Sequence, residues 1–148
     1  MNVYQRYIED MIQGKVSPPP IAQLLGFIVT DFCDGCTTVE MEATEKHWNP
    51  MKTLHGGVYC DLADMAMGFS FLTTLNEDEL FTTVDLRINY LKPVSTGRLI
   101  ASSKIVKRGK RLGYIECDIA NEKGDLVAKA SSTCIIQKRS SHKREKHE

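Results

Sequence analysis

The segment from His55 to Leu75, HGGVYCDLADMAMGFSFLTTL, most constrains the fold, because a glycine-rich start leads into a long apolar run. Asp61 and Asp64 are the only acidic residues in it. A helix that is apolar on every side is normally buried on every side. The sequence therefore predicts a central helix whose two carboxylates are buried, and such carboxylates need hydrogen-bond partners or a chemical role.

The chain's 148 residues suit one domain with a proper core, and 42% hydrophobic with 26% charged residues is typical of a globular protein. Lysine plus arginine and aspartate plus glutamate each number 19, so net charge does not indicate an anionic partner. The apolar helix is short and carries two aspartates, which argues against a membrane span.

The five cysteines, an odd number scattered along the chain, are typical of reduced thiols rather than a disulfide framework. Cys33 and Cys36 have the spacing of half a zinc site, but no second pair accompanies them, so we expect ordinary thiols and no metal. The first fifteen residues lack an apolar stretch and include Glu9 and Asp10, which argues against a targeting signal. These features predict a cytoplasmic protein.

The remaining pattern predicts an α+β fold in which a curled antiparallel sheet wraps around the long central helix. Short connections predict that the last four strands form a meander, and an uncovered sheet edge predicts a homodimer. We predict an N-terminal helix and proline-rich linker (1–19), one folded domain (20–137) and a disordered basic tail (138–148). The predicted elements are a helix over 2–13, strands over 26–33 and 37–43, the central helix, and strands over 81–94, 97–108, 111–121 and 126–137.

An ordered set of motifs carries a family resemblance. Asn49 precedes His55-Gly56-Gly57 by six residues, Asp64 follows His55 by nine, and TVDLRINYLKP comes later, at 83–93. The set resembles the hotdog-fold acyl-CoA thioesterases of the 4-hydroxybenzoyl-CoA thioesterase superfamily, in particular the phenylacetate-pathway type, over about residues 20–137. The resemblance implies a hotdog fold, acyl-CoA as substrate, and homodimers that join their sheets edge to edge, with dimers of dimers also open.

By this resemblance, the backbone N–H of Gly56 polarises the thioester carbonyl and Asp64 acts as nucleophile or as base for a water. Asn49 would position the water or the carbonyl, and the Thr83 hydroxyl would orient the carboxylate or the water. A related class carries a hydroxyl one helical turn after its acid. Here that position is Gly68, which favours the branch that takes its hydroxyl from the third strand.

Three alternatives for the site residues stay open. His55 either shapes the turn through its imidazole or transfers a proton itself. Asp61 lies on nearly the same helical face as Asp64, so it either competes for the acid role or supplies a hydrogen bond. Thr82 is a possible substitute for Thr83.

The distance between Gly56 and Asp64 along the helix limits how these two groups can act on one substrate. Gly56 and Asp64 are eight residues apart, which separates their backbones by about 12 Å along one helix. Each group must come within about 3 Å of its target atom in the same substrate, and an aspartate side chain is too short to close that gap. We therefore expect the two groups at one active site to come from different chains, as the family resemblance also implies.

A basic cluster surrounds the predicted hairpin at Gly109 and could bind the phosphates of CoA. We assign CoA contacts to Gly57 and to four of the basic side chains, with a solvated hairpin as the alternative. The four are Lys107, Arg108, Lys110 and Arg111.

The leading functional hypothesis is an acyl-CoA thioesterase that needs no cofactor beyond the CoA of its substrate. The alternatives are a hotdog dehydratase or hydratase, which the spacing of Asn49 and Asp64 argues against, and a non-catalytic acyl-CoA binding or sensing domain. The basic tail has no interleaved aromatic residues, so we expect no nucleic-acid partner. Four apolar helix residues are expected to fill the core, with the wall of an acyl tunnel as the alternative for some of them: Met65, Met67, Phe69 and Phe71.

Overall fold

A computed structural model describes residues 1–140 and confirms the α+β fold, with six antiparallel strands around a long helix. The strand order is β1-β2-β4-β5-β6-β3. Helix α3 contacts all six strands, which requires the sheet to curl around it. The elements are α1 (Val3–Ile12), α2 (Pro20–Leu25), β1 (Ile28–Cys33), β2 (Cys36–Ala43), a short 3-10 helix (Glu45–His47), α3 (Gly56–Leu72), β3 (Glu79–Tyr90), β4 (Gly97–Arg108), β5 (Leu112–Asn121) and β6 (Leu126–Lys138).

Helix α3 packs closely on the concave face of the sheet because many residues of that face are small. Ala101, Cys117 and Ala130 are buried there, where larger side chains would hold the helix away. A Cβ atom on Gly113 of β5 would lie 2.2 Å from Cε2 of Phe71, so the glycine makes room for that ring. The buried Phe71 ring in turn packs edge to face on Phe81 of β3.

The prediction that α3 is buried on every side is wrong, because the sheet covers only one side of the helix. Asp61 and Asp64 are both exposed, and Met65 and Gly68 next to them are only partly buried. These residues recur every three or four positions and form one stripe along α3. We call them the open stripe of α3. The two carboxylates therefore reach solvent in the single chain.

The predicted four-strand meander is also wrong. Strands β4, β5 and β6 follow one another, but β3 pairs with β6 at the far edge of the sheet. The prediction that β3 and β4 pair directly rests on a short connection, but this connection is long enough to cross the sheet. The seven steps from Tyr90 to Gly97 can span about 23 Å, whereas three strand spacings need only about 14 Å.

Two local features near the N-terminus differ from what the sequence predicts. The sequence predicts a linker that ends at position 19 and no second helix, yet Pro20 begins α2, since proline fits the first helical position. Helix α2 ends at Gly26, whose φ of 79° suits glycine. The prediction that all cysteines are thiols is wrong for Cys33 and Cys36, which form a disulfide across the tight β1–β2 hairpin.

Strand β3 is an edge of the sheet, and its outer side carries exposed apolar side chains such as Val84. This edge fits the predicted edge-to-edge homodimer, and the oligomeric state stays a prediction. Lys138, assigned from the sequence to the tail, is the last residue of β6, and 141–148 lie outside the described residues. Within residues 1–140, no helix is both long and apolar enough to cross a membrane.

The close approach of α3 and β5 predicts that Gly113→Ala destabilises the fold by about 1–3 kcal/mol, because the new methyl group overlaps the Phe71 ring. Urea unfolding followed by circular dichroism measures the loss. In a Phe71→Leu background the added methyl has more room, so Gly113→Ala should cost less there. An equal cost in both backgrounds would contradict the steric explanation.

Candidate active site

The first turn of α3 presents a backbone donor, the Gly56 N–H, that has no partner among the described residues. His55 is the N-cap of the helix, and its Nδ1 accepts a hydrogen bond from the Gly57 N–H at 2.9 Å. The His55 carbonyl accepts the Val58 N–H at 3.0 Å. Within residues 1–140 the Gly56 N–H has no hydrogen-bond partner. Of the two glycines, Gly56 is thus the one with an available donor, and the His55 ring is engaged in holding the turn.

A cavity of about 330 Å³ is lined in part by Gly56. It lies between the start of α3, the loop before it, and the end of β3 with the connection that follows. Its lining residues are Asn49, Thr53, Leu54, Gly56, Tyr59, Tyr90, Leu91, Lys92, Pro93 and Val94. We call it the Gly56 cavity.

Asn49 borders the Gly56 cavity, but most of its amide is used within its own loop. Its Oδ1 accepts the N–H groups of Met51 at 2.9 Å and Thr53 at 3.2 Å, and its Nδ2 donates to the Thr53 hydroxyl at 2.9 Å. An amide NH₂ has two protons, so one N–H of Asn49 is left over. The contacts within the chain make Asn49 a residue that shapes the loop, with a single donor left for a ligand.

Asp64 and Thr83 meet at the open stripe of α3. The Thr83 hydroxyl lies 3.4 Å from Asp64 Oδ1 and donates to it. The Thr82 hydroxyl instead lies 3.4 Å from Gln137 Oε1, on the other face of β3. Neighbouring side chains of a strand point to opposite faces, so only one of the two threonines can face α3. The structure places Thr83 there and turns Thr82 away.

The surroundings of Asp64 raise its pKa above the ordinary value for an aspartate. The main cause is desolvation by the surrounding groups, and the nearby Asp61 carboxylate adds to it. The hydrogen bond from Thr83 acts in the opposite direction, because it stabilises the charged form. A carboxylate with a raised pKa is a better proton acceptor than a free one, and this is a property that a general base needs.

Asp64 belongs to a second cavity, of about 250 Å³, whose walls are mostly apolar. We call it the Asp64 cavity. It shares no lining residue with the Gly56 cavity, so within residues 1–140 Gly56 and Asn49 border one cavity and Asp64, with Thr83 beside it, borders the other. Its lining residues are Pro19, Ile21, Phe27, Asp61, Asp64, Met65, Gly68, Phe69, Leu72 and Phe81.

Comparison with known proteins identifies the family of the chain. A family model described as the thioesterase superfamily matches residues 51–128, which is more than half of the chain and includes the turn at His55, Asp64 and Thr83. The chain belongs to the thioesterase superfamily. The family predicted from the motifs is therefore confirmed.

Curated relatives of this superfamily member include human acyl-coenzyme A thioesterase 13, which is 27% identical over 129 residues, or 85% of this chain and 91% of the relative. The medium/long-chain acyl-CoA thioesterase YigI of Escherichia coli is 33% identical over 96 residues, or 56% of this chain and 62% of the relative. Both names agree with the predicted thioester hydrolase.

Solved structures confirm the hotdog thioesterase fold. A thioesterase from Haemophilus influenzae superposes with a TM-score of 0.81 at 22% identity and covers 91% of this chain and 93% of its own. A putative thioesterase from Ralstonia eutropha, titled a phenylacetic acid degradation-related protein, gives 0.79 at 24% identity and covers 87% and 98%. At these identities the likeness concerns the fold, and the roles of the site residues in this thioesterase stay predictions.

The residues assigned to CoA from the sequence are not equivalent in this thioesterase. Arg108 is engaged within the chain, since its Nε donates to the Thr74 hydroxyl at 3.0 Å and its guanidinium lies over the Phe71 ring. We therefore do not propose Arg108 as a phosphate ligand. The N–H of Gly57 is taken by His55. Three basic side chains on the same hairpin are exposed and stay predictions for CoA binding: Lys107, Lys110 and Arg111.

Sequence reasoning missed Tyr90, the last residue of β3. Its hydroxyl donates to the Gly56 carbonyl at 2.8 Å, and the residue lines the Gly56 cavity. The motif TVDLRINYLKP contains this tyrosine, but a tyrosine at the end of a strand is common. Only the position of β3 at the edge of the sheet, on the side of the start of α3, brings the two together.

The contact between Thr83 and Asp64 predicts that Thr83→Val raises the pKa of Asp64 further, because the hydrogen bond that favours the charged carboxylate is lost. Valine keeps the shape of the side chain. An NMR pH titration of the Asp64 carboxyl carbon measures the shift. Thr82→Val removes a hydroxyl that faces Gln137 and should leave the titration unchanged. An equal shift in both variants would contradict the assignment.

Proposed function

We propose that the protein is an acyl-CoA thioesterase, which hydrolyses an acyl-CoA thioester to a free acid and CoA. Membership of the thioesterase superfamily and the names of its relatives support the proposal. The observation that carries it is the pair of groups on α3: an unpartnered backbone donor at Gly56 and, eight residues later, a carboxylate with a raised pKa. An acyl transfer needs both, one for the developing oxyanion and one for the attack.

In this proposal the Gly56 N–H binds the thioester carbonyl oxygen. The oxygen gains negative charge when the carbonyl carbon is attacked, and a preorganised donor aimed at it stabilises the transition state by roughly 3 kcal/mol. The position at the start of α3 adds the positive end of the helix dipole. Glycine leaves the approach to this donor free of a side chain.

Asp64 supplies the attack by one of two routes. As a base it removes a proton from a water, which adds to the carbonyl carbon while the carbon–sulfur bond breaks. As a nucleophile it adds to the carbon itself and forms an anhydride that water then hydrolyses. In both routes the CoA sulfur leaves as thiolate and takes up a proton, and both begin from the ionised carboxylate that Thr83 holds.

We propose that each active site combines Gly56 of one chain with Asp64 of a second copy. The separate cavities support this arrangement, as does the distance of about 12 Å between the two groups along α3. The open stripe of α3 and the unpaired edge of β3 give a second copy a surface to cover. Two antiparallel α3 helices related by a two-fold axis would bring each Gly56 to the partner's carboxylate.

This arrangement also assigns the two ends of the substrate. The apolar walls of the Asp64 cavity suit the acyl group, and they include Met65 and Phe69, whereas Met67 and Phe71 are fully buried in the core. In this pairing the partner's chain would continue past its Asp64 for about ten residues, or roughly 15 Å, to Thr74, just beyond the end of α3. The hairpin between β4 and β5, with its exposed basic side chains, lies at that end. Its positive charge would face the CoA phosphates in this arrangement.

Release of the CoA thiol, measured with a thiol reagent over a panel of acyl-CoAs, tests the activity. Asp64→Asn should lower kcat by at least 10²-fold, because an amide neither removes a proton nor attacks the carbonyl at a useful rate. Asp61→Asn is the matched control on the same stripe and should lower kcat less than tenfold. A larger loss from Asp61→Asn would transfer the acid role to Asp61. No thiol release by the unmodified protein, with tight acyl-CoA binding, would instead indicate a binding domain.

Gly56→Pro tests the backbone donor, since proline lacks an N–H but is accepted at the first helical position. The preceding His55 has φ −61° and ψ 134°, a conformation that a following proline allows. We expect kcat to fall by roughly 10²–10³-fold. Gly56→Ala adds a Cβ at the same place, 2.9 Å from the Tyr90 hydroxyl, and keeps the N–H. If alanine and proline cost the same, the loss is steric and the donor role is wrong.

Mixed dimers test the shared site. A dimer of one Asp64→Asn chain and one Gly56→Pro chain would contain one site with both groups intact and one site with neither. An equal mixture, unfolded and refolded together, should regain about a quarter of the unmodified activity, because half of the dimers are mixed and each has one working site. Mixed dimers that are shown by mass spectrometry to form and yet stay inactive would contradict the shared site.

A further inference from the structure

The peptide unit between Gly56 and Gly57 is held at both of its polar atoms. Its carbonyl oxygen accepts the Tyr90 hydroxyl at 2.8 Å, and its N–H donates to Nδ1 of His55 at 2.9 Å. A peptide unit is planar, so two bonds at opposite ends fix the orientation of the whole plane. Because glycine is the residue with the most backbone freedom, this turn would otherwise be the least constrained part of α3.

Tyr90 is itself well supported. Its ring packs edge to face on the buried Tyr59, with 5.5 Å between the ring centroids. Its hydroxyl lies 3.5 Å from the sulfur of Cys60, and since the tyrosine proton goes to the Gly56 carbonyl, the thiol is the donor in that contact. These contacts with a ring, a thiol and a carbonyl fix the Tyr90 side chain, which therefore links the end of β3 to the start of α3.

We propose that Tyr90 is a positioning residue of the active site, which aims the free Gly56 N–H at the substrate carbonyl by fixing the neighbouring peptide plane. This inference rests on the proposed function of the Gly56 donor. Tyr90 is 53% exposed, yet local desolvation of its hydroxyl and the neighbouring Cys60 raise the pKa of Tyr90 to about 12. The hydroxyl therefore keeps its proton at neutral pH and serves as a neutral donor, not as a base.

Tyr90→Phe removes the one hydroxyl and keeps the ring. We expect kcat to fall roughly 3- to 10-fold, the effect of one hydrogen bond, while KM changes less than twofold. Tyr114→Phe is the matched control, because Tyr114 lies on β5 with no hydrogen bond from its hydroxyl within residues 1–140. An unchanged kcat in Tyr90→Phe, or a rise in KM alone, would overturn the proposal.

A double variant separates positioning from any independent role. If Tyr90 acts through the Gly56 N–H, then Tyr90→Phe should have no further effect on kcat once Gly56→Pro has removed that N–H. If the two losses multiply, Tyr90 acts on the substrate by another route and the proposal is overturned. The double variant also relieves the contact between the proline Cβ and the Tyr90 hydroxyl, so it should fold at least as well as Gly56→Pro.

Amide exchange gives a readout that needs no substrate. In Tyr90→Phe the Gly56 carbonyl loses its hydrogen bond from outside the helix, so the Gly57 amide should exchange with D₂O at least threefold faster, as measured by NMR. Tyr114→Phe should leave that rate unchanged. A Gly57 rate unchanged in Tyr90→Phe overturns the positioning role even if the protein proves to have no thioesterase activity. Faster Gly57 exchange together with no thiol release from any acyl-CoA would refute the proposed function alone.

Discussion

The packing of α3 on the curled sheet is the constraint on which the rest of this structure depends. The helix sits close because small residues face it and because Gly113 leaves space for Phe71. A buried hydrogen bond of 2.9 Å between Ser70 and Ser103 fixes its depth. A helix held in this way cannot bend to bring its own Gly56 and Asp64 together. The rigidity that makes the core also imposes the separation of the two chemical groups.

The sequence was sufficient for the fold class, the family and the extent of most elements, because their signals are local. The apolar run predicted α3, and the Asp34-Gly35 turn predicted the hairpin between β1 and β2. Prediction from the sequence failed where a feature depends on which elements lie next to each other in space. Apolar periodicity does not say which side of α3 the sheet covers, so the exposure of Asp61 and Asp64 was missed. Loop length alone did not reveal that β3 crosses to the far edge.

For the candidate site, the motif identified the residues, but it did not show which of their polar groups are already hydrogen-bonded within the chain. His55, Gly56 and Gly57 look alike as potential contributors in the sequence, yet among the described residues the Gly57 N–H has a partner and the Gly56 N–H has none. Arg108 looks like its basic neighbours, yet its contacts with Thr74 and the Phe71 ring occupy it. Hydrogen-bond occupancy depends on groups brought in from distant segments, and no spacing rule contains that information.

Strand β3 contacts helix α3 at both of its candidate catalytic groups. Through Thr83 it touches the carboxylate on α3, and through Tyr90 it touches the first turn of the same helix, while its outer side carries Val84 and is unpaired within the described chain. A small shift of this one strand would therefore disturb both chemical groups simultaneously. Catalytic activity would then depend on how two copies assemble. A substitution on the solvent side of β3 would abolish turnover without contacting any reacting atom.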